Sequence, residues 1–386
     1  MRTIPDIEEQ LEMLDSIITT EFIPAITNGI NCSTSQRKLM ALPPKLGGLG
    51  IPIFTEIAKG ELENSKKLTN HLVESIINQE IQLNQSQDMK KIKLEMKSTK
   101  SKAQNETLEC LRKEMDPTQR KLNELACAKG ASIWLTLLPI SNEGYDINKE
   151  LFWDLIRIRY GCQLKRIPTT CECGSLFDLQ HALSCKKGGF VSLRHNELRN
   201  IIALMLKTIC KDVVIEPPLL PLTGEDLHEV SAITGDEARL DVRARGFWQT
   251  GQSAFFDIRV FNPLAKRHIS QDLKKCLETN EREKKRAYNQ RVLEVEHGSF
   301  TPLVFSATGG AGREGNKFIT RLAELMATKQ GKPYGEVVTW VRRKISMGLC
   351  KAVGVCLRGS RTVFGQKDVN IDEDISISVI TTTINT

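Results

Sequence analysis

The chain has 386 residues, which leaves room for two or three domains. Its 54 Lys and Arg exceed its 47 Asp and Glu, and the net charge of +7 suits a polyanion partner without requiring one. No run of about 18 apolar residues occurs, so we expect no membrane span, and we expect no secretory signal. The eleven cysteines are an odd and mostly scattered set. They favour a reducing compartment, the nucleus or the cytoplasm, over a disulfide framework.

The first part of the chain has a helical pattern. In residues 1–84 apolar residues recur at helical spacing, interrupted by the proline- and glycine-rich segment ALPPKLGGLGIP. The lysine-rich stretch that opens residues 85–160 predicts either a solvated basic helix or linker, or a helix that follows phosphates. Near its end, ELFWDLIRIRYG predicts an amphipathic helix. We assign 1–84 to a helical region and 85–160 to a linker with helices.

Metal-ligand residue types cluster in the next segment, 161–193. Four of them lie within fifteen positions: Cys171, Cys173, His181 and Cys185. Thiolates and imidazole are the ligands that a tetrahedral structural zinc prefers, and four protein ligands leave no open position for chemistry. The segment therefore predicts a zinc knuckle. The alternatives are a cysteine-containing loop with a core histidine, or a site in which Cys162 replaces one ligand.

Two β-rich runs farther along, RLDV and FFDIRV, each carry one aspartate, Asp241 and Asp257. Alternation in the second run puts Phe255, Asp257 and Arg259 on one face. A hairpin would bring the two carboxylates together, and because a buried carboxylate is costly unless it is paired or coordinates a cation, they could share a divalent cation. The alternative is that each aspartate pairs with a neighbouring arginine. The candidates are Arg239, Arg243 and Arg259.

Further candidate groups precede and follow this hairpin. Glu197 or Glu216 could supply a third ligand for Mg²⁺ or Mn²⁺. The helical run EREKKRAYNQ offers Lys284 and Lys285, close to Tyr288, to stabilise a phosphate. Mixed charges of this kind are also typical of an ordinary solvated helix face.

The order of these motifs, a Cys-Cys-His-Cys knuckle and then RHNELR, RLDV, FFDIRV and EKKRAY, resembles a known family. It is similar to the carboxy-terminal region of the proteins of early-branching non-long-terminal-repeat retrotransposons, in which a zinc knuckle precedes a restriction-like endonuclease of the PD-(D/E)XK type. The resemblance implies an α+β or α/β fold with an αβββαβ core, a mixed sheet with flanking helices, over 194–365. The polar residues 366–386 are expected to form a disordered tail.

The resemblance also implies an activity and residue roles. The activity is divalent-cation-dependent nicking of double-stranded target DNA for target-primed reverse transcription, with the element RNA as a further partner. Asp241 and Asp257 would be the two acids and Lys284 the displaced lysine of the following helix. Arg259 stands where the usual pattern has lysine, and arginine cannot act as a base because it stays protonated. The residues expected to contact DNA are Lys186, Lys187, Arg194, His195 and Arg259.

The amino-terminal segments FIPAIT and RKLMALPPKLGGLGIP resemble the thumb and linker that follow a reverse-transcriptase palm. No Tyr/Phe-x-Asp-Asp motif occurs in the chain, so we do not expect a polymerase, and we interpret the chain as a piece of a longer element protein. Two readings from other classes stay open. One is a non-catalytic nucleic-acid-binding remnant, and the other is a zinc-stabilised protein-interaction domain.

Overall fold

The computed structural model describes residues 3–79, 86–220 and 239–359. These residues divide into two compact units, one within Met1–Asn123 and Arg159–Cys162, the other within Glu124–Ile158 and Gln163–Thr386. None of the helices in the described ranges has the length and apolar character needed to cross a bilayer. The predicted tail, 366–386, lies outside the described residues.

The first unit is helical, as the periodicity of its sequence predicts. Its helices, the last of which runs into the second unit, are α1 (Glu8–Ile17), α2 (Ile23–Ile26), α3 (Thr34–Ala41), α4 (Phe54–Asn78), α5 (Ser86–Glu114) and α6 (Pro117–Cys127). The lysine-rich stretch thus forms the long helix α5, with most of its lysines exposed.

Polar side chains hold the glycine- and proline-rich loop between α3 and α4. The carboxylate of Asp15 on α1 accepts the backbone N–H groups of Phe54 and Thr55, so a residue distant in sequence caps the start of α4. The buried guanidinium of Arg37 on α3 donates to the carbonyl oxygens of Ile51 and Pro52. These contacts satisfy backbone groups that the loop itself leaves unpaired.

The second unit contains the sheet and the helices around it. Its elements are α7 (Lys149–Arg159, shared with the first unit), α8 (Leu179–Ala182), α9 (Phe190–Lys207), β1 (Lys211–Ile215), β2 (Val242–Arg245), β3 (Ser253–Phe261), α10 (Leu273–Glu294), β4 (Ser299–Ser306), α11 (Arg313–Gln330) and α12 (Tyr334–Arg358).

The described strands form one four-stranded sheet in the order β1-β2-β3-β4. The first three are antiparallel, whereas β4 runs parallel to β3 because α10 crosses over between them. Between β2 and β3 the chain turns through Gly246 and Gly251, whose φ angles of 90° and 82° are readily adopted only by glycine. The protein is therefore mixed α+β, as predicted, and its described elements from α9 to β4 run in the order helix, three strands, helix and strand.

The two faces of β3 pack against different partners. Phe256 and Ile258 lie in the main core with residues of α9, α11 and α12, where Phe256 meets Phe318 edge to face. Truncating Phe256 to Ala would cost about 3–5 kcal/mol. On the other face Phe255 joins a smaller cluster with Phe300, against which Tyr288 of α10 packs. The predicted alternation of β3 is confirmed, and it directs Asp257 toward α10.

Candidate functional site

A cluster of one imidazole and three thiols precedes α9. Cys173 Sγ lies 3.3 Å from His181 Nε2, and Cys185 Sγ lies 3.8 Å from Cys171 Sγ and 3.9 Å from Cys173 Sγ. A tetrahedral zinc with Zn–S bonds near 2.3 Å separates its sulfurs by about 3.8 Å. These four groups could therefore hold a metal ion such as zinc.

Local geometry explains how the chain forms this cluster. Gly174, at φ 84°, lets the chain turn back after Cys173, and Cys171 and Ser175 pair through their backbones across the turn. Asp178 caps the single turn of α8 that carries His181. Hydrogen bonds with Ser175 lower the pKa of Cys173 to about 6, which favours the thiolate, the form that binds metals.

The knuckle, defined as residues 171–185, lies in the second unit and contacts the end of β3. Asn262, just after β3, donates to the carbonyl oxygen of Gln180 and to Ser184 Oγ. Cys162, considered as a substitute ligand, is not in the cluster. All eleven cysteines lie in the described ranges, and none forms a disulfide.

The two acids of the hairpin stand at the edge where β3 faces α10. Asp257 is buried, with 7% of its side chain exposed, and Lys284 Nζ lies 2.9 Å from Oδ2 and 3.1 Å from Oδ1. Only the contact to Oδ1 has hydrogen-bond geometry, and within the described residues no donor is hydrogen-bonded to the buried Oδ2. That oxygen keeps lone pairs for a further ligand.

Asp241 lies one residue before β2, opposite this part of β3. Its Oδ1 is 2.9 Å from His195 Nε2 on α9, and its Oδ2 accepts the backbone N–H of Ile258. Asp241 is near enough to Asp257 for the two charges to interact. Among the described residues, the side-chain partners of the two aspartates are therefore a histidine and a lysine rather than the arginines considered from the sequence.

Electrostatics at Asp257 favour the presence of an extra positive charge. Burial, the largest influence, raises the pKa of Asp257 above its usual value, and the carboxylate of Asp241 adds to the rise. Lys284 opposes the rise without cancelling it. A hard divalent cation held by both carboxylates would offset this cost, because it stabilises their ionised forms. The carboxylate oxygens of both aspartates are of the type that a hard divalent cation binds.

The predicted cations of α10 and β3 have separate partners. Lys284 contacts Asp257 and also lies 5.6 Å from the ring centre of Tyr288. Lys285 instead pairs with Glu314, and Arg259 pairs with Glu283. Lys284 is thus the lysine that the fold brings to the acids. Tyr288 packs beside that lysine, with its ring against Phe300.

The predicted third metal ligands do not join the acids. The knuckle residues are the only three-member or larger group of metal-ligand side chains found among the described residues, so Glu197 does not complete a site with Asp241 and Asp257. Glu216 forms an ion pair with Arg199. On α9 it is His195 that contacts Asp241, and the role of Glu197 as a magnesium ligand stays a prediction.

The predicted DNA contacts differ in exposure. Lys186 and Lys187 are exposed just before α9. Arg194 is only 2% exposed and donates to the carbonyl oxygens of Leu183 and Val260. Its predicted contact with phosphates is wrong in this conformation, since it holds the knuckle to β3 from inside.

His195 belongs with the acids, and its motif RHNELR gives no local sign of this because the partner lies 46 residues away. Together the second unit brings two carboxylates, a lysine and a histidine to one place. Such a set can bind a divalent cation and stabilise negative charge on a phosphate.

The chain matches no protein-family model, and a search of curated proteins also finds no match.

Proposed function

We propose that this protein is a metal-dependent DNA endonuclease whose elements from α9 to β4 form a PD-(D/E)XK core. The observation that carries the proposal is the convergence of Asp241, Asp257 and Lys284 from a strand edge, a central strand and a crossover helix. The αβββαβ order of the elements supports the same reading. As in the retrotransposon proteins that its motifs resemble, the activity would be nicking of target DNA for primed reverse transcription.

Asp241 and Asp257 would hold Mg²⁺ or Mn²⁺. The bound cation would neutralise charge on the scissile phosphate and activate a water. Lys284, held beside the buried Asp257 by its ion pair, would stabilise the negative charge that develops on the phosphate. Arg259 on β3 cannot act as a base because arginine stays protonated, and it pairs with Glu283, the residue before Lys284 on α10.

We assign duplex DNA as the substrate and the element RNA as a further partner. The protein would act in the nucleus or the cytoplasm. The exposed Lys186 and Lys187 beside the knuckle support contact with a phosphate backbone, since each neutralised phosphate releases counterions. A structural zinc in the knuckle would keep Lys186 and Lys187 in place in the second unit.

Nicking of supercoiled plasmid by the whole protein, with Mg²⁺ or Mn²⁺, tests the proposal. We expect conversion to open circles by the wild type and none by Asp257→Asn, with DNA binding in a gel shift retained by both. Asp212→Asn is the matched control, because Asp212 is an exposed strand aspartate paired with Arg245. Binding without nicking by the wild type under either cation would refute the activity.

One observation favours a second candidate, a non-catalytic nucleic-acid-binding remnant. Each aspartate already has a partner within the protein, Asp241 with His195 and Asp257 with Lys284, so the fold can hold both acids without a cation. This candidate predicts salt-sensitive DNA binding and no nicking in the same assays.

A further inference from the structure

The Asp241 carboxylate receives one donor on each oxygen, from two different elements. The backbone N–H of Ile258 in β3 donates to Oδ2, and His195 on α9 lies 2.9 Å away at Oδ1. An ionised carboxylate only accepts hydrogen bonds, and an imidazole can donate one through Nε2. We propose that His195 is a positioning residue that holds Asp241 in the orientation needed to bind a divalent cation.

The position of Asp241 in the chain explains why its side chain needs a further contact to fix its orientation. It lies before the first residue of β2, and while its own N–H donates to the carbonyl oxygen of Phe256, that bond fixes only the backbone. The side chain can still rotate about its own bonds. The contact from His195 restricts that rotation from the helix side, as Ile258 does from the strand side.

The histidine is a positioning group rather than a ligand in this arrangement. A nitrogen that carries a proton has no lone pair for a metal, and Nε2 is the atom directed at Asp241. Each Asp241 oxygen, in contrast, retains a second lone pair after accepting one hydrogen bond. Outer-shell partners of this kind typically change metal affinity or activity about 10–100-fold when removed.

The inference rests on the cation site of the proposed function and is tested by binding rather than by cutting. The whole protein, loaded with one zinc ion per chain for the knuckle and freed of excess zinc, is titrated with Mn²⁺ by calorimetry and by electron paramagnetic resonance. We expect His195→Ala to weaken Mn²⁺ binding by about 10–100-fold. His195→Gln, whose amide N–H can reach the same oxygen, should restore most of the affinity.

Asn196→Ala is the matched control on the same helix and should leave the Mn²⁺ affinity unchanged. Thermal unfolding of each variant separates a loss of fold from a loss of affinity. Wild-type affinity in His195→Ala, no rescue by His195→Gln, or no Mn²⁺ binding by the wild type with one zinc ion per chain would each overturn the inference. Tight Mn²⁺ binding with the expected variant pattern but no DNA nicking would refute the endonuclease alone.

Discussion

The ammonium of Lys284 lies 2.9 Å from Oδ2 of Asp257, although the two residues are 27 positions apart. The pair joins the crossover helix α10 to the central strand β3 at the point where the acids of the hairpin meet. Lys285, the next residue, points to Glu314 on α11 instead. A one-residue step along the helix turns the side chain by about 100°, so neighbours on a helix serve different partners.

Lys284→Ala should reduce plasmid nicking by about 10²–10³-fold, the usual effect of removing one group that stabilises transition-state charge. It should also lower the melting temperature, because Asp257 is left buried without its partner. Rate measurements at a temperature well below the transition separate the two effects. Lys285→Ala is the control: Lys285 pairs with Glu314 and not with the two acids, so nicking should stay within about threefold of the wild type. Equal losses in both variants would contradict the assignment of Lys284.

The purified protein should contain about one zinc ion per chain, measured by mass spectrometry of the metal. Cys185→Ser should lose that zinc and lower the melting temperature, because hydrogen bonds from Asn262 and Arg194 join the knuckle to the rest of the second unit. Cys162→Ser should keep both zinc and stability, since its thiol is outside the cluster. Retention of zinc by Cys185→Ser, or its loss from Cys162→Ser, would show that the ligand set is different.

Glu281 makes stability depend on pH. Its side chain, on a residue that is 6% exposed, accepts the N–H of Glu314 at the start of α11, and burial, the largest influence, raises the pKa of Glu281 above 4.5. A raised pKa in the folded state means that stability is fully present below 4.5 and is lost as the pH rises through the folded value. The ionised carboxylate therefore costs stability at neutral pH.

Glu281→Gln keeps an oxygen that can accept the N–H of Glu314 but cannot ionise. It should raise the melting temperature at pH 7 by about 2–4 °C, equivalent to about 1 kcal/mol, and make no difference below the unfolded pKa. Calorimetric scans across the acid-to-neutral range measure this. Glu294→Gln, an exposed carboxylate at the end of the same helix that does not influence Glu281, should leave the profile unchanged. A constant difference between Glu281→Gln and wild type at every pH would contradict the linkage.

Some of this arrangement follows from local sequence pattern. The period-two alternation of β3 places Phe255, Asp257 and Arg259 toward α10, and close ligand spacing identifies the knuckle. Both depend on residues within one element or one short loop. The burial of Arg194 and the contact of His195 with Asp241 depend instead on how α9 docks against strands far away in sequence. The basic residues near the start of α9 give the same sequence pattern whether their side chains face solvent or pack against the sheet.

Substitution of Arg194 should therefore lower the stability of the protein, whereas substitution of Lys186 and Lys187 should weaken its binding to DNA. Arg194→Met should destabilise the protein by about 2–4 kcal/mol in denaturant unfolding, because the buried carbonyl oxygens of Leu183 and Val260 lose their donor. Changing the exposed Lys186 and Lys187 together to Ala should leave the free energy of unfolding unchanged. It should weaken DNA binding and reduce the slope of log affinity against log salt by about 1–2, one for each lost phosphate contact.

Lys274→Ala with Lys275→Ala is the matched control for the lysine pair, since these two neighbouring lysines are also exposed in the second unit, at the start of α10. We expect their removal to change the salt slope less than removal of Lys186 and Lys187, because the latter follow the knuckle directly. Equal slopes for the two double variants would mean that net charge alone governs binding. A lowered slope in Arg194→Met with wild-type stability would instead restore that arginine as a DNA contact, which its burial argues against.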